Sequence, residues 1–331
     1  MQCSNHLKQI GIALHNHHDT HSNFPAARSY IGTATSGNAS HWGDQLALCP
    51  FNEQTTLYSI IETRRRSQSG ELNVSAVTEA SGARIPTLLC PSCPQSRTTW
   101  TTNGFVVTFS NIVSCRGDVV RRQEWQSDWN ENLPAGDAAA RADARNGYRR
   151  GGFGPLVWNT FASISDGTSN TIAYSEAAIS MAESGESTDN RVRGGFSASG
   201  TPALDANNPS TCLQRRNTSN PNTLSGETRG GRGRRMLYGL YYHSGFVTVL
   251  PPNSPSCSVN TDVAANGWSI HSANSYHTGG VNVALFDGSV RFVTDAVDAG
   301  AATRAQNLTG ESPYGVWGAY GSIAAGESRT L

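Results

Sequence analysis

The sequence predicts an α+β protein in which one N-terminal helix leads into a single β-rich domain. Three observations carry that expectation. Cys3, Leu7, Ile10 and Leu14 recur at spacings of four, three and four, which lays an apolar stripe along one face of a helix. Val281–Phe286 and Ser289–Val293 alternate in character on either side of Asp287-Gly288, the dipeptide best suited to a two-residue hairpin turn, because that turn needs positive φ twice. The 331 residues also include 34 Gly and 14 Pro, enough turn formers to cut the remainder into short strands and long loops.

Taken in order, the first helix presents polar Asn5, Lys8, Gln9 and Asn16 opposite its stripe and ends near Asn23-Phe24-Pro25. No capping residue precedes Met1, so the helix reads as cut rather than begun. A second helix is expected over Glu53–Glu62, with Leu57, Ile60 and Ile61 as its apolar face. Phe105–Phe109 and Phe246–Leu250 read as strands, and the polar stretch at 183–235 as low-complexity loop. The expected division is a helical segment over 1–22 and one β-rich domain over 23–331, with the hairpin at 277–293.

Composition removes several function classes. Lys+Arg and Asp+Glu are both 25, so the formal net charge is +0, which argues against a dedicated nucleic-acid binder. Lys8 is the single lysine, so no GxxxxGK[ST] phosphate loop exists and Schiff-base chemistry has one poor candidate. No apolar run reaches the ~20 residues that cross a bilayer. Seven cysteines are too few for a disulfide scaffold, and an odd count leaves one free or paired between chains in an oxidising compartment.

Each candidate site has a plainer alternative. His15, His17, His18 and His21 place pairs such as His15/His18 on one helix face, as two metal-binding imidazoles would be, yet histidines also suit a helix C-terminus. Cys90-Pro91-Ser92-Cys93 is a lone CxxC without the further ligands of a zinc site, which leaves a local disulfide or two structural thiols. Asp166-Gly167-Thr168-Ser169-Asn170 offers the oxygen atoms of a Ca²⁺ site, Asp166 foremost, or of an ordinary Asx turn. His277 and Asp287 flank Gly279, Gly280 and the first hairpin strand. A strand of that length holds them ~20 Å apart, so a turn-forming Asp and a strand-leading His are preferred to a catalytic couple. Arg64–Arg66 and the arginine-rich 229–235 read as solvated loops. There is no GxSxG and no sequence-selected Ser/His/Asp set, so no catalytic residue is assigned.

Five ordered blocks together resemble one family. They are MQCSNHLKQIGIALHNHHDTHSNFP at the start, Leu88-Leu89-Cys90-Pro91-Ser92, and Gly152-Phe153-Gly154-Pro155 with Ile164–Thr171. His277-x9-Asp287-Gly288 and Ser312–Gly318 complete the set. The chain resembles the large planctomycete family of unknown function of DUF1559 type, whose members carry a prepilin-type N-terminus and an H-x9-DG signature. The resemblance implies a pilin-like or pseudopilin-like fold, a spine helix packed on an antiparallel sheet. It also implies a leader and an apolar helix half that this sequence lacks. Cys93 stands where the family commonly has Asp, which implies a Cys90–Cys93 disulfide particular to this chain.

The expected function is a non-enzymatic structural subunit of a filament or secretion-type assembly, in the cell envelope or outside it. Its expected partners are copies of itself or related pilin-like subunits, with no nucleic acid, and a membrane reached only through the missing helix. No cofactor is expected, Ca²⁺ being the one candidate. The first alternative is an anchored surface module binding glycan or a metal ion, with Trp100, Trp125, Trp129, Trp158 and Trp268 as stacking faces. The last is a hydrolase whose residues meet only in three dimensions.

Overall fold

The computed structural model describes residues 1–29, 42–67, 77, 83–97, 101–102, 105–106, 109–122, 149–181, 188–199, 202–235, 237–259 and 268–327. Helix α1 runs Gln2–His21 and ends on Ser22, whose φ of 60° is left-handed and whose N–H donates to His18 O at 2.7 Å. Its buried residues are the expected stripe, Cys3, Leu7, Ile10 and Leu14, joined by Gly11, Ala13 and His17. Helix α2 (Asp44–Leu48) is short. Helix α3 spans Thr55–Ser67 and starts later than the pattern suggests, because Glu53 sits at φ 57°, outside the right-handed helical region. Leu57 and Ile61 are buried there as expected.

Two minor ladders pair β1 (Arg28–Ser29) with β2 (Trp42–Gly43) and β3 (Thr101–Thr102) with β4 (Phe105–Val106). The first large sheet is built from β5 (Ile112–Cys115), β7 (Ile172–Glu176), β10 (Gly245–Phe246), β13 (Gly280–Leu285) and β14 (Val290–Thr294), in the order β10-β5-β7-β13-β14. It is antiparallel except for the β10–β5 pair. The second, of order β6-β12-β11-β8-β9, uses β6 (Arg121–Arg122), β8 (Phe196–Ser199), β9 (Glu227–Arg229), β11 (Cys257–Ser258) and β12 (Trp268–Ile270). Its β11–β8 pair is parallel.

The first sheet is covered on both faces, and β13 shows why in its alternation. Ala284 and the following Phe286 join Leu7, Ile10, Leu14, Phe153 and Tyr174 in the core under α1. Val281, Val283 and Leu285 point the other way, against Trp317 and Tyr320 of the C-terminal segment. Burying a side chain of this size is worth roughly 1.5–3 kcal/mol. The helix runs along β13 from the His277 end toward the Asp287-Gly288 turn. There Lys8 Nζ donates to Gly288 O at 2.7 Å, His15 Nε2 meets Phe286 O at 2.8 Å, and Gly11 lies against the Gly288 backbone.

Three expectations need correction. The Phe246–Leu250 run extends as strand only through Phe246. The amides of Val247 and Thr248 donate instead to His271 O and Gly117 O, outside any ladder, and Pro251-Pro252 follows. The polar stretch at 183–235 contributes β8 and β9, with Phe196 and Ala198 buried. The arginine-rich segment is not solvated. Gly231 (φ 130°) and Gly233 (φ 64°) turn the chain so that Arg232 and Arg234 point inward, and Arg232 donates to Gly245 O and Ser272 O.

Candidate functional site

Three of the sequence blocks converge with Glu176 at one point beside the first turn of α1. Cys3 projects from that turn toward Cys90, which leaves the 3-10 turn Pro86–Leu88 with its amide held by Asn111 Oδ1 at 2.8 Å. The two are joined in a disulfide with a Cα–Cα distance of 4.9 Å. Glu176, the last residue of β7, is buried beside them. His277 sits in the turn before β13, its amide fixed by Ser275 Oγ. Its Nε2 lies 3.0 Å from Glu176 Oε1 and 3.6 Å from Cys90 Sγ. The other carboxylate oxygen accepts from Asn282 N and Nδ2 at 2.7 and 3.0 Å, so Glu176 is fixed before it meets the imidazole. The hydrogen bond to Glu176 raises the His277 pKa above the ordinary histidine value, against a smaller opposing effect of burial.

The disulfide corrects the Cys90–Cys93 pairing. Cys93 follows Cys90 around a tight turn, its amide bonded to Cys90 O, and its thiol packs with Leu89, Phe109 and Ile179. It is a buried thiol outside any disulfide, as are Cys49 and Cys115, and Cys212–Cys257 forms a second bridge. Burial pushes the Cys49 thiol up to about 12, so it stays protonated.

The two ends of the H-x9-DG signature lie at opposite ends of β13. Asp287 Oδ1 accepts from Ser289 N at 2.8 Å and Gly288 takes φ 77°, so this end shapes the turn. A Cβ on Gly280 would lie 2.2 Å from Val293 O, so only glycine fits there, while Gly279 supplies φ 76° just before it. The Asp166 block sits next to the same turn, with Asp287 N donating to Thr168 O at 3.1 Å. Asp166 itself clasps the C-terminal segment. Its Oδ2 accepts from Ser322 Oγ and Ala325 N, and its Oδ1 from Gly326 N. Gly167 opens the 3-10 turn Thr168–Asn170 at φ 98°, Asn170 Nδ2 returns to Asp166 O, and Ser169 faces solvent.

The α1 histidines are placed by packing. His15 and His18 rest on the Phe161 ring, and His17 stacks on His21 and bonds to Asn23 O. Trp158 is exposed and Trp268 half-buried; Trp100, Trp125 and Trp129 lie outside the described residues. Sequence reasoning missed Glu176, whose one signal is a lone carboxylate inside the largely apolar run Ile172–Ile179. It also missed a cleft of about 540 Å³ lined by Arg191, Arg193, Arg216, Asn253, Tyr276 and Asp295. The guanidinium of Arg193 lies 5.5 Å from the centre of the Tyr276 ring, and Arg191 forks onto Asp189.

This arrangement is not a nucleophile–base–acid relay. One nitrogen, His277 Nε2, faces both Glu176 and Cys90, whereas a relay needs the acid and the nucleophile on opposite nitrogens. What the residues define is a mixed α/β protein whose N-terminal helix packs on a sheet and is fastened to the Cys90 loop by a disulfide beside a His–Glu pair. The chain belongs to the family described as protein of unknown function (DUF1559), whose sequence pattern matches residues 1–300. No curated protein and no solved structure matches it. Among the described residues, no helix is long and apolar enough to cross a membrane.

Proposed function

We propose that the protein is a non-enzymatic, pilin-like or pseudopilin-like subunit of an envelope or extracellular assembly, with α1 as the lower part of its spine helix. One observation carries this reading: α1 lies lengthwise on a largely antiparallel sheet through its apolar stripe, while Asn5, Gln9, Ile12 and Asn16 remain exposed on the far side. Ile12 is 50% exposed, an apolar contact available to a neighbouring helix. Two disulfides suit an oxidising compartment, which supports an envelope or extracellular site. Self-association or related subunits are the partners, and an apolar helix ahead of α1 is the membrane anchor. The test is the native N-terminus, read by mass spectrometry from source cells, together with Ile12→Cys cross-linking in those cells. A processed, methylated residue upstream and covalent dimers through position 12 are expected. A native chain starting at Met1 that yields only monomer overturns the reading.

A second reading, a surface module binding an anionic glycan, is favoured by the arginine cleft. Three guanidinium groups and the Tyr276 ring around about 540 Å³ offer charge and a stacking face together. Glycan-array binding that Arg193→Ala and Arg216→Ala abolish would establish it; an array without hits removes it.

A further inference from the structure

We propose that reduction of the Cys3–Cys90 disulfide opens a zinc site made of Cys3 Sγ, Cys90 Sγ, His277 Nε2 and Glu176 Oε1. This stands apart from the assembly reading and rests on convergence alone. These four ligand atoms all lie within 4.8 Å of one another, the one such group of Cys, His, Asp or Glu among the described residues. Tetrahedral zinc, with bonds of about 2.0–2.3 Å, keeps its ligands about 3.3–3.8 Å apart. The Cys90 Sγ to His277 Nε2 distance of 3.6 Å already meets that spacing.

The surroundings fit a metal better than they fit a plain disulfide. A bridge needs no titratable neighbours, and the Cys212–Cys257 sulfurs lie against the Pro255 and Cys212 carbonyls. At Cys3–Cys90, by contrast, a carboxylate and an imidazole face the sulfurs. Asn282 holds the far oxygen of Glu176 through two donors, the outer support that metal-binding carboxylates commonly have. The His277 side chain is 22% exposed, which gives the ion a way in from solvent. Two thiolates, an imidazole and a carboxylate are a donor set that suits Zn²⁺ better than Ca²⁺ or Mg²⁺.

A dithiol reductant passes two electrons and two protons to the Cys3–Cys90 bond, giving two thiols, and is itself left as a disulfide. Zn²⁺ then displaces the two thiol protons to solvent. The proton that His277 Nε2 shares with Glu176 Oε1 also leaves to solvent. The imidazole holds one proton on Nδ1, taken up from solvent where Nδ1 was bare, so that Nε2 presents its lone pair and Oε1 accepts the metal in place of the N–H. In either state the first turn of α1 stays tied to the Cys90 loop, by a covalent bond or by a metal.

The test needs no variant at first. The purified chain, air-oxidised or reduced with a phosphine (which leaves as the phosphine oxide, its oxygen taken from water), is titrated with Co²⁺ and then with Zn²⁺ against a chromophoric chelator. Reduced protein is expected to bind one ion per chain, with tetrahedral cobalt bands and thiolate-to-cobalt charge transfer, at least 100-fold more tightly than oxidised protein. Cys93→Ser and the Cys212→Ala/Cys257→Ala pair should leave that signal in place. His277→Ala, checked for folding by its melting curve, should weaken binding by more than the roughly 10–100-fold that loss of an outer-shell partner costs. Equal binding by both redox forms, no cobalt spectrum in the reduced form, or full affinity in folded His277→Ala would each overturn the assignment.

Discussion

Arg232 is wholly enclosed, and its guanidinium meets the carbonyls of Gly245, in β10, and Ser272, two residues past β12. Burial pulls its pKa down to about 10, so the group remains charged at neutral pH while its desolvation weighs against the fold. Arg232→Ala should lower the unfolding free energy by about 3–5 kcal/mol, because it strands two carbonyls and leaves a cavity. Arg232→Lys should recover only part of this, since an ammonium cannot reach two acceptors in the same fork; urea titration of both variants is the check. His17 works by pH instead. Burial pushes its imidazole down to about 4, with the neighbouring His21 and His18 adding to the effect against the Asn23 hydrogen bond. The unfolded residue titrates near 6.5, so the unfolded chain binds more protons between those values. The stability that neutral His17 supplies is complete above about pH 6.5 and is lost as pH falls toward 4, at about 1.4 kcal/mol per unit. His17→Gln keeps a donor for Asn23 O and should flatten the melting temperature between pH 7 and 4.5. A residual slope is expected, because burial also lowers the wholly buried His271. None of this was legible in the sequence. Four histidines in seven residues look alike as letters, and which ring is buried depends on Phe51 and Phe161, which arrive from elsewhere in the chain.

At the scale of elements the contact between α1 and the hairpin turn governs what each can tolerate. A side chain at Gly11 would meet the Gly288 backbone, with even a Cβ only 3.2 Å from its Cα. Gly11→Leu should therefore destabilise the isolated chain by about 1–3 kcal/mol, read as a lower melting temperature. Ile12→Ser, one residue on and facing solvent, should change the isolated chain by less than about 0.5 kcal/mol. Any larger effect of Ile12→Ser in cells would then belong to contacts between subunits. Both elements were legible, because periods of 3.6 and 2 are written directly into Cys3–Leu14 and Val281–Val293. Phe246–Leu250 misled for the same reason. An alternating run records burial, and past Phe246 these residues are buried through loop contacts rather than through a ladder.

Over the whole molecule, the two disulfides close spans of 87 and 45 residues. Each should contribute roughly 2–5 kcal/mol. Their sulfurs sit in different parts of the core, so the losses in Cys3→Ala/Cys90→Ala and Cys212→Ala/Cys257→Ala should add when the four changes are combined. Differential scanning calorimetry of the three variants would show a shared shift that exceeds the sum if the two bridges are coupled instead. The sequence placed the cysteines but not their partners, because pairing is decided by long-range approach, here of α1 to the Cys90 loop. The His277–Glu176 pair was hidden likewise, since 101 residues separate its members.

The Asp166 clasp bears on where this protein can be cut. The family pattern stops at residue 300, yet Asp166, well inside it, holds Ser322, Ala325 and Gly326. Trp317 and Tyr320 form the floor of the first sheet, and Ile172 of its central strand donates to Tyr320 O. A fragment trimmed at residue 300 would thus lose one side of its own interior. The stretch matched by the family pattern and the stretch that packs together do not share a border, and expression work should follow the second.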